Sequence, residues 1–200
     1  MLTSLIISQI LSWLVILGLG LALLALARQV GVLHIRVAPA GALATTGGPS
    51  VGSSTGAIAT RTLDGKPITV GGHAHGLKLR LLLFVSAQCP LCKAVIPMAT
   101  SFAKAERVAL TFVGDDDAAA QRAMIAQHGL EGQPFINGPE VGMAYEVAKL
   151  PFAVLLDEEG AILSKGLVNS REHLESLIVA HEMGIRTVQD YIGSLKAQAA

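Results

Sequence analysis

Cys89 and Cys92 are the only cysteines in this 200-residue chain, and they enclose Pro90 and Leu91. Three positions apart, they cannot staple distant parts of a fold, so they serve as a dithiol or as metal ligands. On a helix, residues three apart share a face, which lets one sulfur resolve a mixed disulfide formed at the other. Pro90 suits the first turn of such a helix, where its missing N–H costs nothing. A helix start also offers unpaired N–H groups and partial positive charge, which favour a thiolate at Cys89. Cys89 is therefore the expected attacking sulfur and Cys92 the resolving one, the catalytic pair of a thiol–disulfide exchange. Lys93 either adds positive charge beside them or is an ordinary solvated lysine.

A second element lies at Lys149-Leu150-Pro151-Phe152-Ala153-Val154. Proline at the head of a central strand cannot donate to the ladder and needs a special reason. A cis Leu150–Pro151 peptide that turns the backbone toward the dithiol is one such reason. Pro90, Leu150 and Pro151 are then the supporting residues. Leu150 and Pro151 line a client groove, and the Leu150 backbone is available to an extended client segment.

Other residues offer rival chemistries. His73-Ala74-His75 precedes the cysteines closely enough in sequence to suggest an N2S2 zinc or copper site. Pro90 favours a redox loop instead, and Gly71, Gly72 and Gly76 suggest an exposed turn, so the histidines read as solvated. Ser86-Ala87-Gln88-Cys89 resembles part of a peroxide-reducing loop, but Leu82 stands where the upstream proline of that loop would be. Asp115-Asp116-Asp117 reads as the negatively charged start of a helix. His128 and His181 fall near helix ends, where imidazoles bond terminal carbonyls. No Ser-His-Asp order, phosphate-cradling glycine loop or second C-x-x-C is present, and no cofactor or metal is assigned.

The elements around the dithiol follow from pattern. Asp64-Gly65 marks a turn between two short extended pieces. Residues 79–85, nearly continuous Leu, Phe and Val, predict a strand buried on both faces of a mainly parallel sheet and ending just before Cys89. Leu91, Val95, Met98, Ala99 and Phe102 predict a helix over 90–106, kinked at Pro97. A strand at 107–113, a helix at 116–128 stopped by Gly129, and a hairpin over 151–157 and 161–166 follow. Helices from Ser170, an N-cap, to 184 and over 187–196 close the chain. Alternating strands and helices give an α/β fold.

A formal charge of zero and 4% aromatics exclude nucleic acid as a partner, since neither phosphate attraction nor base stacking is provided for. Residues 1–27 contain no charged side chain and are apolar on every helical face. That predicts a transmembrane anchor, whose partner is membrane lipid along residues 2–27. A cleaved signal peptide would want a basic start and a shorter apolar run. Residues 28–50 are expected to be a small-residue, glycine-rich juxtamembrane linker, and 51–200 a single folded domain. Arg28 and Arg36 follow the anchor, and by the positive-inside rule they pull the domain toward the cytoplasm. Disulfide chemistry pulls the other way, toward the periplasmic face of the inner membrane.

A strand, then Cys-Pro-Leu-Cys opening a helix, then Leu150-Pro151 opening a hairpin turned at Asp157-Glu158-Glu159-Gly160, resembles the thioredoxin fold. It is most similar to the membrane-tethered thioredoxin-like and peroxiredoxin-like subgroup. Thioredoxin itself has Trp before its first cysteine, where this chain has Gln88. Longer stretches resemble the MauD family of methylamine-utilisation proteins: residues 28–34 and 38–43, Tyr145-Glu146-Val147-Ala148-Lys149-Leu150-Pro151, and 165–177 from Lys165-Gly166-Leu167-Val168-Asn169 onward. That resemblance implies an accessory factor that processes, transports or matures the disulfide-rich small (beta) subunit of methylamine dehydrogenase. The small subunit would be the client, and a membrane or periplasmic redox partner would reset the dithiol. A non-catalytic chaperone or scaffold for the same subunit, or a His/Cys copper- or zinc-handling protein, are the competing readings.

Overall fold

The computed structural model describes residues 2–36 and 47–182. Linker residues 37–46, the helix expected over 187–196 and the His181 side chain lie outside the described residues. The chain divides into two units, Met1–Ala40 and Gly41–Ala200.

The first unit holds helix α1 (Leu2–Arg36). Its stretch Ile6–Leu23 has a mean hydropathy of 2.2 and buries none of its residues against protein. An amphipathic helix would hide an apolar stripe, whereas here every face is apolar and exposed. The stretch is long and apolar enough to cross a bilayer. The helix runs on beyond Ala27, so the first part of the expected linker is helical. Residues 28–36 contain no proline to stop it, and the first proline is Pro39.

The second unit begins with a hairpin of β1 (Ile58–Arg61) and β2 (Pro67–Val70), turned at Asp64-Gly65 as expected. Then follow β3 (Arg80–Phe84), α2 (Pro90–Glu106), β4 (Ala109–Gly114), α3 (Ala118–His128), β5 (Phe135–Asn137), α4 (Pro139–Ala144), β6 (Phe152–Leu156), β7 (Ile162–Leu167) and α5 (Arg171–Glu182). Strands β3 to β7 form one sheet in the order β5-β4-β3-β6-β7. β3 and β4 are parallel, as are β4 and β5, while β6 runs antiparallel to both β3 and β7. The sheet is therefore mixed rather than mainly parallel. β6 enters through a turn after the short α4, not through a long crossover, and so lies antiparallel to β3.

The period of two in β3 divides the core. Leu81, Leu83 and Val85 face one side and pack with Val95, Phe102, Phe112, Met124 and Leu174, the buried faces of α2, β4, α3 and α5. Leu82 and Phe84 face the other side and meet Val70, Val141 and Tyr145 from the hairpin and α4. Residues 47 and 48, expected in the linker, already belong to this unit. Gly48 N–H donates to Glu146 Oε2 at 2.9 Å, and Lys165 Nζ donates to the Gly47 carbonyl at 2.7 Å. Gly48 has φ +79°, and a Cβ there would stand 2.4 Å from the Tyr145 carbonyl oxygen, so only glycine fits. Gly129 ends α3 in the left-handed conformation. His128 does not bond a carbonyl through Nε2, which is buried without a partner among the described residues.

Candidate active site

β3 is buried along its whole length and delivers the chain to the edge of the core. Val85 N–H still bonds the Val113 carbonyl at 2.8 Å; beyond it residues 86–88 turn, and Cys89 becomes the N-cap of α2 with Pro90 in the first turn. The Cys89 sulfur accepts the Cys92 backbone N–H at 3.2 Å, one of the donors a helix start leaves unpaired. Both cysteines are free thiols, Cys89 half-buried and Cys92 with no exposed surface. Burial pushes the Cys92 thiol up to about 12, and the neighbouring Cys89 sulfur adds to the effect. One sulfur is thus reachable from solvent and the other is a protonated thiol held directly behind it.

The turn before Cys89 is held from across the sheet. The Asp116 carboxylate accepts the Ala87 N–H at 2.7 Å, the Ser86 hydroxyl at 3.2 Å and the Gln121 amide at 3.3 Å. Ser86 Oγ in turn accepts the Gln88 N–H at 3.1 Å, and Asn137 Nδ2 donates to the Asp116 carbonyl at 2.9 Å. The acidic triplet therefore divides its work. Asp117 caps α3 by accepting the Ala119 and Ala120 N–H groups, as a helix start predicts. Asp116 instead anchors the active-site turn, a role no local pattern announces because its partner lies about thirty residues away in sequence.

The third component comes from β6. The Leu150–Pro151 peptide is cis, and Phe152 pairs with Phe84, the last residue of β3. Pro151 is buried beside the exit of β3, its carbonyl accepting the Val168 N–H at 3.1 Å. Leu150 remains 38% exposed and Leu91, between the cysteines, 56%. Leu150 lies at the rim of an open cleft of about 630 Å³, lined also by Phe84, Val85, Gly114, Asp115 and Met143. Sequence reasoning missed that cleft because α4, which builds one wall through Pro139, Gly142 and Met143, is too short to show a period.

The histidines are not part of this site. His73 and His75 precede Arg80, which pairs with Leu156 at the far end of β3, whereas the cysteines follow the end where Phe84 pairs with Phe152. Four residue steps of strand, about 13 Å, separate those ends. His73 and His75 gather with Glu158 instead, and neither cysteine belongs to that group. An N2S2 site is thereby ruled out by topology.

No protein-family model matches the sequence. The methylamine utilization protein MauD of Paracoccus denitrificans is 38% identical over 200 residues, covering 100% of both chains. That of Methylorubrum extorquens is 38% identical over 192 residues, 96% of this chain and 94% of its own. Among solved structures, the thioredoxin domain of a thiol-disulfide oxidoreductase from Bacteroides vulgatus superposes with a TM-score of 0.53 at 20% identity, covering 64% of this chain and 97% of its own. StoA from Bacillus subtilis gives 0.51 at 23% identity, covering 65% of this chain and 99% of its own. At such identities these two establish the thioredoxin-like fold and nothing more. Identity of 37–38% to five MauD proteins, over 92–100% of this chain, establishes the family. With a thioredoxin-like domain behind an apolar N-terminal helix, the chain belongs to the MauD family of methylamine utilization proteins.

Proposed function

We propose that this chain is a membrane-anchored thiol–disulfide oxidoreductase that matures the disulfide-rich small subunit of methylamine dehydrogenase, with its domain on the periplasmic side. Its family membership makes it a thioredoxin-like accessory protein of methylamine utilization. The observation that supports exchange chemistry is the unequal burial of two free thiols at one helix start, Cys89 reachable and Cys92 enclosed.

In the reducing direction, the Cys89 thiolate attacks one sulfur of a client disulfide. A Cys89–client S–S bond forms, and the other client sulfur leaves as a thiolate. Cys92 then gives up its proton and attacks Cys89, releasing the second client thiolate and closing the Cys89–Cys92 disulfide. Two electrons pass to the client. Run backwards from the Cys89–Cys92 disulfide, the same steps oxidise a client dithiol, and a membrane or periplasmic redox partner restores the starting state. Pro90 sets the first turn behind Cys89, while Leu150 and Pro151 flank the approach to it, where an extended client segment would lie.

A Cys92→Ser variant expressed in the native cell should accumulate a covalent Cys89–client adduct, seen on non-reducing gels and identified by mass spectrometry. The small subunit of methylamine dehydrogenase is the expected adduct. Absence of any adduct while maturation continues would overturn the exchange mechanism. Full maturation with Cys89→Ala, Cys92→Ala would show a scaffold that binds without redox work.

A further inference from the structure

At the end of the sheet opposite the dithiol, a loop and a hairpin turn are locked together. The guanidinium of Arg80, only 7% exposed, donates to the carbonyls of Gly71 at 3.3 Å, Gly72 at 2.7 Å and Asp157 at 2.8 Å. Ala74 N–H donates to the Glu158 carbonyl at 2.8 Å, and Gly76 N–H to Glu158 Oε1 at 3.0 Å. The two backbones touch so closely that a Cβ on Gly160 would stand 2.4 Å from the Gly72 nitrogen. These contacts fix the backbone that carries His73 and His75 against the backbone that carries Glu158.

The side chains converge as well. His73 Nε2 and His75 Nδ1 are 3.1 Å apart, with the rings perpendicular. One donor atom from each of His73, His75 and Glu158 lies within 4.8 Å of the other two. Two imidazole nitrogens bound to a tetrahedral zinc at about 2.0–2.1 Å would be roughly 3.3 Å apart, close to the spacing found. Both imidazoles are exposed, so an ion can reach them without opening the fold. Asp157 is not among these converging donors; its Oδ1 accepts the Ala161 N–H at 2.7 Å.

We propose that His73, His75 and Glu158 bind one divalent ion of the zinc and copper class, with the remaining coordination position open to water. Two imidazoles and one carboxylate are a donor set suited to such ions. No cysteine takes part, so the site is independent of the redox state of Cys89 and Cys92. A bound ion clamps the loop that feeds β3 onto the β6–β7 turn.

Calorimetric titration of ZnCl2 into tag-free, detergent-solubilised full-length protein tests this, using Cys89→Ser, Cys92→Ser so that thiolates cannot bind the metal. One ion per chain is expected, with MgCl2 producing no comparable binding. His73→Ala or His75→Ala should weaken zinc by about 100-fold or more, and Glu158→Gln by about tenfold. Circular dichroism checks that these exposed-residue variants stay folded. Failure of the cysteine-free protein to bind zinc, or unchanged binding by a folded His73→Ala, His75→Ala variant, overturns the proposal.

Discussion

A thiol without solvent contact cannot be the sulfur that meets a client, and Cys92 has none. Its raised pKa follows from the same enclosure, because burial penalises the thiolate more than the thiol. The consequence for stability has a definite sign. The ordinary value is 9.0 and the folded one about 12, so in this interval the folded state holds a proton that the unfolded state has lost. Stability from the buried thiol is complete below pH 9 and disappears as pH rises toward 12. Urea denaturation of the reduced protein between these pH values should therefore show a decline that Cys92→Ala flattens. Parallel curves for the two proteins would mean that Cys92 is not enclosed in solution. In the same reduced protein iodoacetamide should modify Cys89 first. The position of Cys89 at the start of α2 was legible from the apolar run of β3 followed by Cys-Pro-x-Cys, because capping depends on local sequence. The depth at which Cys92 sits was not, since it depends on β3, α2 and β6 meeting around it.

The turn between β3 and α2 depends on an element outside both. Strands β3 and β4 are parallel neighbours, so the residues following each emerge at one edge of the sheet, and Asp116 at the start of α3 falls within reach of Ser86 and Ala87. Removing that carboxylate leaves a half-buried N–H and the buried Gln121 amide without their acceptor. Asp116→Ala should destabilise the protein by about 1–3 kcal/mol and change the alkylation rate of Cys89, while Asp116→Asn, which keeps an acceptor oxygen, should do less. Denaturation curves and alkylation kinetics read both; an Asp116→Ala protein unchanged in both would mean the turn is held by other contacts. Most elements that flank this turn were readable, since the continuous apolar run of β3, the helical spacing of α2 and the Gly129 stop of α3 are local signals. β5 and α4 were not, because three and six residues are too few to display a period. The antiparallel course of β6 was hidden too, as strand direction is set by how the chain returns from α4 and not by the composition of the strand.

The complete chain poses a question that neither unit answers alone. Helix α1 is 35 residues, about 52 Å at 1.5 Å per residue, and so exceeds a hydrocarbon core of about 30 Å. Arg28 and Arg36 therefore lie on helix beyond the apolar stretch Ile6–Leu23. The positive-inside rule counts such residues and favours a cytoplasmic domain, but two arginines are a small bias, and large domains translocate largely regardless of charge. Against that bias stands the exchange chemistry proposed for the two free thiols, which has lasting client disulfides to act on outside the cytoplasm. The two considerations make opposite predictions for one experiment. If disulfide chemistry governs, protease added to intact spheroplasts should digest the domain, and inside-out vesicles should protect it. The reverse pattern would place Cys89 in the reducing cytoplasm, away from any client disulfide that persists, and the maturation role proposed for it would fall together with the orientation.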